Sequence, residues 1–492
     1  MAQHFDVIVI GSGSGSKLVR PIANLGFKVA VIEKDAYGGT CLNRGCIPSK
    51  MLIHPADVIS TIKNEASKFG IHLSYDPSSS QPIKIDQSAL VSRVCAEIDQ
   101  DSAAIGPNYD RNPNITRFNG TATFTGPKQL EIKTVVAKME TTVQITGSKI
   151  FVVTGCKASI PDIPGLLETP YMTYREILRS STTHESMIVI GGGYIACELG
   201  YYAARVGNTK VTFLVREKML RGEDDEIRHE FEKEFSKEFD VRLGYSPVAI
   251  TYDVNYGFTV TTENKSNGDI KAFKAKALLV ATGVEADTES LGLASTLVKT
   301  TKQGFIEVNH AFETSCPGVY AFGDVIGRYL FKHSANFEGE WLFKTMFATG
   351  EGKGSIKKWV NEIGGIVYPP MPHAVFSYPQ IGGVGFTESQ AVSKFGKEGI
   401  VIGRCDVADV AMGAALLTTS GFIKLIFSRH DRKLVGAHMI GEQASVVIHM
   451  AIAYIQMNAT LDDLLDTIYI HPALVEVLRD AARDANQRLA IK

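Results

Sequence analysis

A glycine-rich turn set between a buried strand and a helix occurs twice in this chain, at residues 11–16 and 191–196, and it dictates most of what the chain can fold into. In the first copy, Phe5-Asp6-Val7-Ile8-Val9-Ile10 is too continuously apolar for a half-exposed strand and reads as a buried parallel one. Gly11-Ser12-Gly13-Ser14-Gly15-Ser16 follows, then a helical stretch from Lys17 to Leu25 and a second strand from Lys28 to Ile32 that ends at Glu33. This is a βαβ unit with G-x-G at its first turn and an acid about 20 residues on, the spacing that dinucleotide binding uses. Gly11, Gly13 and Gly15 let the backbone approach a pyrophosphate, the helix N-terminus faces its charge, and Glu33 is placed for a ribose. Ser16 takes the third small position, where Gly or Ala is usual.

The second copy starts with Ser186-Met187-Ile188-Val189-Ile190. It continues through Gly191-Gly192-Gly193-Tyr194-Ile195-Ala196 and a helix from Ala196 to Val206, and ends on the strand Lys210 to Val215. Gly191, Gly193 and Ala196 keep the small positions. Two such folds imply two dinucleotides. Just after the first lies Gly38-Gly39-Thr40-Cys41-Leu42-Asn43-Arg44-Gly45-Cys46-Ile47-Pro48-Ser49-Lys50. Two cysteines with four residues between them can close a small disulfide ring, and a helix N-terminus lowers a thiol from its usual value of about 8.5. With 7 cysteines in 492 residues the spacing alone carries little weight. The adjoining nucleotide folds give it meaning: electrons passing from a nicotinamide through a flavin to a disulfide.

On these motifs the chain resembles the flavin-dependent pyridine nucleotide-disulfide oxidoreductases, which include dihydrolipoamide dehydrogenase and the glutathione, mycothione and mercuric reductases. The Gly38–Lys50 segment is similar to dihydrolipoamide dehydrogenase almost letter for letter, apart from Arg44, where a small apolar residue is usual. Thr314-Ser315-Cys316-Pro317-Gly318-Val319-Tyr320-Ala321-Phe322-Gly323-Asp324 resembles the family's second FAD motif, whose Asp holds the ribityl chain. Val153-Thr154-Gly155 and Ala281-Thr282-Gly283 look like its two domain-crossing turns, and Tyr469-Ile470-His471-Pro472-Ala473-Leu474-Val475-Glu476 looks like its C-terminal catalytic segment. Four separated motifs in the right order are far more specific than any one of them.

The resemblance implies an α/β protein with two Rossmann-like domains and a C-terminal α/β dimerisation domain. Residues 1–155 and 283–355 form the FAD-binding domain, 156–282 the NAD(P)-binding domain and 365–492 the interface domain of a homodimer. Within this frame, Tyr75 to Pro82 reads as a surface loop. A helix is expected from His333 to about Thr349, strands over Gly421 to Phe427 and Leu434 to Met439, and a helix over Gln443 to Gln456.

Roles follow from the same resemblance. Cys46 is the flavin-side, charge-transfer cysteine and Cys41 exchanges with substrate sulfur. Lys50, one turn beyond Cys46, lies near the flavin ring, and Glu198 holds the carboxylate that pairs with it. Gly11, Gly13, Gly15, Ser16, Glu33, Thr40, Lys50, Thr154, Gly155, Gly323 and Asp324 are the expected FAD contacts. Gly191, Gly193, Ala196, Arg216, Arg221 and Gly283 are those for the nicotinamide coenzyme. His471 and Glu476 form the acid–base pair that thiol–disulfide exchange requires, since a proton must leave the attacking thiol and return to the leaving one. Dihydrolipoamide dehydrogenases usually carry a second His where this chain has Tyr469. In the family this segment reaches the disulfide of the other subunit.

Composition narrows the alternatives. Formal net charge is −2, with acids and bases interspersed, so there is no basic footprint for nucleic acid. No apolar run spans a bilayer, and the first strand at Phe5 leaves no room for a targeting peptide. Cys95, Cys156, Cys197, Cys316 and Cys405 are scattered, which indicates a reducing, cytoplasmic setting with one functional pair. A metal reading of Cys41 and Cys46 lacks further ligands, His54 apart.

The coenzyme is where the sequence pulls two ways. An NAD site wants a carboxylate at the end of the second strand. Here the segment reads Val215-Arg216-Glu217-Lys218-Met219-Leu220-Arg221. Arg216 and Arg221 resemble the pair that grips the NADP 2′-phosphate in glutathione reductase and favour NADPH; Glu217 as ribose partner is the alternative. The leading reading is dihydrolipoamide dehydrogenase, acting on a small dithiol or disulfide, a protein-bound lipoyl group among them. The alternatives are an NADPH-dependent reductase of a low-molecular-weight disulfide and a flavoprotein transhydrogenase.

Overall fold

The computed structural model describes residues 2–71, 85–136, 139–349, 356 and 358–490. The Tyr75 to Pro82 loop lies outside them. The first strand, Gln3–Ile10, is buried from Val7 onward and sits mid-sheet, parallel to Val29–Glu33 on one side and to Met139–Val152 on the other. Ile115–Gly126 pairs in parallel beyond Val29–Glu33, and Val319–Ala321 beyond Met139–Val152. All neighbours being parallel, both faces need cover, which explains the unbroken apolar runs. The two long strands extend past this sheet, and their far halves pair antiparallel with Gln129–Val136.

The second unit repeats the plan. Ala277–Val280, Ser186–Ile190, Lys210–Val215 and Asp240–Leu243 form a parallel sheet in that order. An antiparallel meander, Tyr245–Asp253, Gly257–Asn264 and Ile270–Ala275, stands beside it. The crossing is a short antiparallel pair, Cys156–Ala158 with Val284–Ala286. The C-terminal unit has a five-stranded sheet, antiparallel throughout: His373–Val375, Ile381–Gly385, Leu434–Ile440, Phe422–Ser428 and Ile400–Asp406. Helices Ala444–Gln456 and Glu476–Ala490 cover it. The helix expected from His333 runs over Lys332–Met346, so it begins one residue earlier and stops before Thr349.

Packing fixes the cysteine helix between units. Cys46–Ser60 buries Leu52, Ile53, Ala56 and Ile59, one stripe at helical spacing, against Ala196 and Leu199 of Tyr194–Val206. Val375 and Ile381 of the C-terminal sheet join the same core. Burying each large aliphatic chain contributes about 1.5–3 kcal/mol. Leu52→Ala would cost about 2–5 kcal/mol and loosen the seat of both thiols. Among the described residues no helix is long and apolar enough to cross a membrane.

Candidate active site

Both glycine turns open into one cavity of about 1650 Å³, beyond the roughly 300–1,000 Å³ of a single small-ligand pocket. The turns are built alike. Gly11 has φ +102°, and a Cβ there would lie 2.3 Å from the carbonyl oxygen of Val153; Gly191 has φ +134°, with the oxygen of Ala281 at 2.2 Å. Each first glycine therefore presses on its own crossing turn. A Cβ on Gly15 would meet Gly11 O at 2.2 Å, and one on Gly39 would meet Gly13 Cα at 2.8 Å, so the first turn lies against the start of the cysteine segment. Ser16 is more than a small filler: its hydroxyl donates to Gly13 O at 2.8 Å.

Glu33 is buried, and Ser12 holds it: the Ser12 N–H and hydroxyl both donate to Oε2, at 2.9 and 2.7 Å. Thr40, Thr154, Gly155, Gly323 and Asp324 line the same cavity, and Gly155 and Gly323 adopt left-handed φ of +72° and +76°. The residues present fit FAD. Among the described residues the hydroxyl of Thr154 is buried without a partner, and the glycine cradle would be filled by any side chain. Burial pushes the Asp324 carboxyl up to about 6, with the Lys332 charge opposing, which suits a carboxylate awaiting a hydroxyl donor.

Cys41 sits on the short helix Gly39–Arg44 and Cys46 opens Cys46–Ser60, with Gly45 between them. Pro48 falls in the first turn, where no helical N–H is lost. Both cysteines are free thiols. The neighbouring Cys41 thiol pulls Cys46 down to about 7 against the opposing effect of burial, with Lys50, its own N–H and Lys332 assisting. The Cys46 thiol, then burial, raises Cys41. Cys46 is thus the more acidic thiol of the pair.

Lys50 Nζ donates to Glu198 Oε2 at 2.6 Å and stands 4.5 Å from the ring centre of Phe376. The other Glu198 oxygen accepts from Phe376 N–H at 3.0 Å. Glu198 thus ties the cysteine helix, the second nucleotide fold and the C-terminal unit together. At the coenzyme end, Ala196 is buried and Gly193, Arg216, Arg221 and Gly283 line the cavity, Gly283 at φ +116°. Glu217 lies between the two arginines, 3.9 Å from Arg216 and 3.5 Å from Arg221, and all three side chains are exposed. Leu220 N–H donates to Gly192 O at 2.7 Å, pinning this loop to the glycine turn.

His471 Nδ1 lies 3.1 Å from both oxygens of Glu476. Glu476 is 2 % exposed, and the Ala473 N–H, His471 and Arg479 hold it below the usual carboxylate range. This pair does not line the cavity that contains the thiols, and the His471 side chain is 69 % exposed. Exposed apolar side chains surround it in sequence, Ile468 at 97 % and Ile470 at 79 %. Sequence reasoning missed Ser12, Lys332, Phe376 and Arg479. Only Ser12 carried a signal, lying inside the glycine turn.

An α/β fold with two glycine-turn units and a pair of thiols in the cavity they share defines a class of redox flavoproteins. The chain belongs to the pyridine nucleotide-disulphide oxidoreductase family: residues 5–351 match the family itself and residues 371–482 match its dimerisation domain. It is 32 % identical over 489 residues to mycothione reductase of Mycobacterium tuberculosis, covering 97 % of this chain and 98 % of the relative. It is 28 % identical over 484 residues to mitochondrial dihydrolipoyl dehydrogenase of Pisum sativum, covering 97 % and 90 %. Among solved structures, the HOCl-induced flavoprotein disulfide reductase RclA from Escherichia coli, in its Cu(II) complex, superimposes with TM-score 0.81 at 25 % identity, covering 98 % and 99 %.

Proposed function

We propose that Cys41 and Cys46 are the redox dithiol of an FAD-dependent oxidoreductase that links NAD(P)H to a small disulfide, in the manner of dihydrolipoyl dehydrogenase. The observation that carries this reading is the pair of free thiols lining the same cavity as both glycine turns. FAD, when bound by residues 1–155 and 283–355, carries two electrons between the nicotinamide and the cysteines. Gly11, Gly13, Gly15 and Asp324 hold it, and Lys50, kept in place by Glu198, lies beside the dithiol.

In disulfide reduction, Cys41 gives its proton to His471 and its sulfur attacks one substrate sulfur, so the substrate S–S bond breaks and a mixed disulfide forms. The departing thiolate takes that proton back from His471. The Cys46 thiolate then attacks the Cys41 sulfur, restoring the Cys41–Cys46 disulfide and releasing the second thiolate, which takes a proton from solvent. Glu476 orients the His471 ring, both carboxylate oxygens lying 3.1 Å from Nδ1. Because His471 stands outside its own cavity amid exposed Ile468 and Ile470, it serves the dithiol of a second copy. The active unit is then a homodimer.

A second reading, an NADPH-dependent reductase of a low-molecular-weight disulfide, is favoured by Arg216 and Arg221 flanking the end of the coenzyme strand. Steady-state turnover with lipoamide, mycothione disulfide and glutathione disulfide, each with NADH and NADPH, separates the two. Lipoamide turnover with NADH supports the first reading, and NADPH with a small-thiol disulfide supports the second. Undiminished disulfide turnover in Cys41→Ser and Cys46→Ser would sink both. For the shared site, inactive Cys41→Ser and His471→Gln chains are mixed and allowed to exchange. Recovered activity is expected, and none after demonstrated exchange rejects the dimeric site.

A further inference from the structure

The C-terminal sheet carries a row of basic residues that runs across all five of its strands, interrupted by one glycine. His373 pairs with Gly383, Gly383 with His438, His438 with Lys424, and Lys424 with Arg404. Residues opposed in this way share one face of a sheet, and like charges so placed repel. Part of the row is also out of water, His438 being 1 % and Lys424 2 % exposed. A buried ammonium needs an anion. Three acids come from one segment, the one that follows the loop of Arg216 and Arg221. Glu223 Oε2 accepts from His373 Nε2 at 2.9 Å, and Asp224 Oδ1 accepts from Lys424 Nζ at 3.0 Å. Glu226 pairs with Lys424 at 3.2 Å and with Arg404. Glu388 completes the set: its carboxylate accepts from Lys424 at 2.5 Å, and its N–H donates to Asp224 Oδ2 at 2.9 Å. Gly383 leaves space for the two imidazoles, since a Cβ there would lie 2.4 Å from His373 Nε2 and 3.0 Å from His438 Nδ1.

The same segment is fastened to the coenzyme side of the cavity. The other oxygen of Glu223 accepts from the hydroxyl of Tyr194, the residue next after Gly193 of the second glycine turn. Tyr194 and His373 both line the cavity. Residues 216–222 therefore leave the strand Lys210–Val215 in their own unit and end on residues held by another. We propose that the basic row is the seat of this coenzyme loop: His373 and Lys424 are positioning residues through which the C-terminal unit places Arg216, Glu217 and Arg221, and so sets the affinity for the nicotinamide coenzyme. The inference rests on the reading of the second glycine turn as the coenzyme site. Glu223 is the joint. Its side chain is fully buried, and each of its oxygens takes a donor from a different unit. Without the His373 donor a buried carboxylate is short of a partner, so it shifts toward another and the end of the loop shifts with it.

The test reads coenzyme binding apart from turnover. The oxidised, FAD-loaded protein is titrated with NAD+ and with NADP+ in a calorimeter, and steady-state KM and kcat are measured beside it. In His373→Ala the tighter-binding coenzyme is expected to lose about tenfold in affinity, with KM rising to match while kcat and flavin content hold. His373→Gln, which keeps a donor for Glu223, should restore most of that loss. A role in stability alone would lower Tm and leave binding where it was. An unmoved Kd in folded, flavin-loaded His373→Ala therefore overturns the seat and leaves the coenzyme site intact. A parent that binds neither NAD+ nor NADP+ overturns both. If His373→Ala does not fold, Glu223→Gln keeps the volume of the joint and removes its charge, and an unmoved Kd there rejects the proposal.

Discussion

The two nucleotide folds of this chain share a turn and differ at the end of the second strand. In both, a positive-φ glycine presses on the carbonyl of its crossing turn, Gly11 on Val153 and Gly191 on Ala281. The first fold ends its strand in buried Glu33, fastened by two hydrogen bonds from Ser12. The second ends in apolar Val215 and passes into an exposed Arg216–Glu217–Arg221 cluster. The turn, fixed by steric limits on the backbone, recognises what all dinucleotides share. The strand end, free of those limits, is where the folds separate what they bind.

The most severe way to probe the shared turn is to add one methyl group to each copy. Gly11→Ala and Gly191→Ala both force a Cβ to about 2 Å from a backbone oxygen at a φ that strains L residues, about 1–3 kcal/mol before the clash is counted. Gly11→Ala is expected to lose at least about tenfold in FAD retention, read from the ratio of flavin to protein absorbance. Gly191→Ala should keep its flavin and lose coenzyme binding in a fluorescence titration. Flavin loss from both, or from neither, would break the equivalence.

The strand ends should respond more gently. Replacing Arg216 and Arg221 by Met removes two charge-assisted contacts of about 1.5–3 kcal/mol each. NADPH kcat/KM should fall roughly tenfold or more while NADH changes little. A parent that strongly prefers NADH would reassign the arginines to the surface and Glu217 to the ribose. Between the folds, the Lys50–Glu198 pair offers a sign test on the pH midpoint of Cys46 alkylation in the reduced protein. Lys50→Met removes a nearby cation and moves it up; Glu198→Gln leaves Lys50 less neutralised and moves it down, each by about half a unit to one unit. Shifts of the same sign would mean that Glu198 does not act through Lys50. The smallest effect belongs to Ser12→Ala. Losing the hydroxyl contact to Glu33 should cost about 1 kcal/mol, seen as a lower Tm of the FAD-loaded protein with coenzyme kinetics unchanged.

The His471–Glu476 pair adds a pH dependence with a fixed direction. Glu476 is held below the usual carboxylate range, so its contribution to stability is complete above the ordinary carboxylate pKa and is lost as pH falls through its lowered value. Glu476→Gln removes the carboxylate whose oxygens lie 3.1 Å from His471 Nδ1. Disulfide turnover should fall at least about tenfold, and undiminished turnover would detach the carboxylate from the histidine.

The sequence by itself determined the elements whose cause is local. The glycine turns, the Cys41–Cys46 segment, the Gly323–Asp324 turn and the His471-to-Glu476 spacing are each written in a short run of residues. Backbone sterics and turn chemistry act over that range, and so they are legible. Even Ser16, a departure from the usual pattern, keeps its place by donating to Gly13. The tertiary structure decided how charge is balanced. Glu198 meets Lys50 across 148 positions and Phe376 across 178, Lys332 reaches Ser14 across 318, and the Cys46 thiol titrates where it does because of all its neighbours together. Tertiary structure also put His471 outside the cavity of its own thiols. Electrostatic partners are chosen by distance in space and by burial, neither of which a linear pattern encodes. Lys332 therefore looked like any helix residue until the fold set it in the cavity that both thiols line.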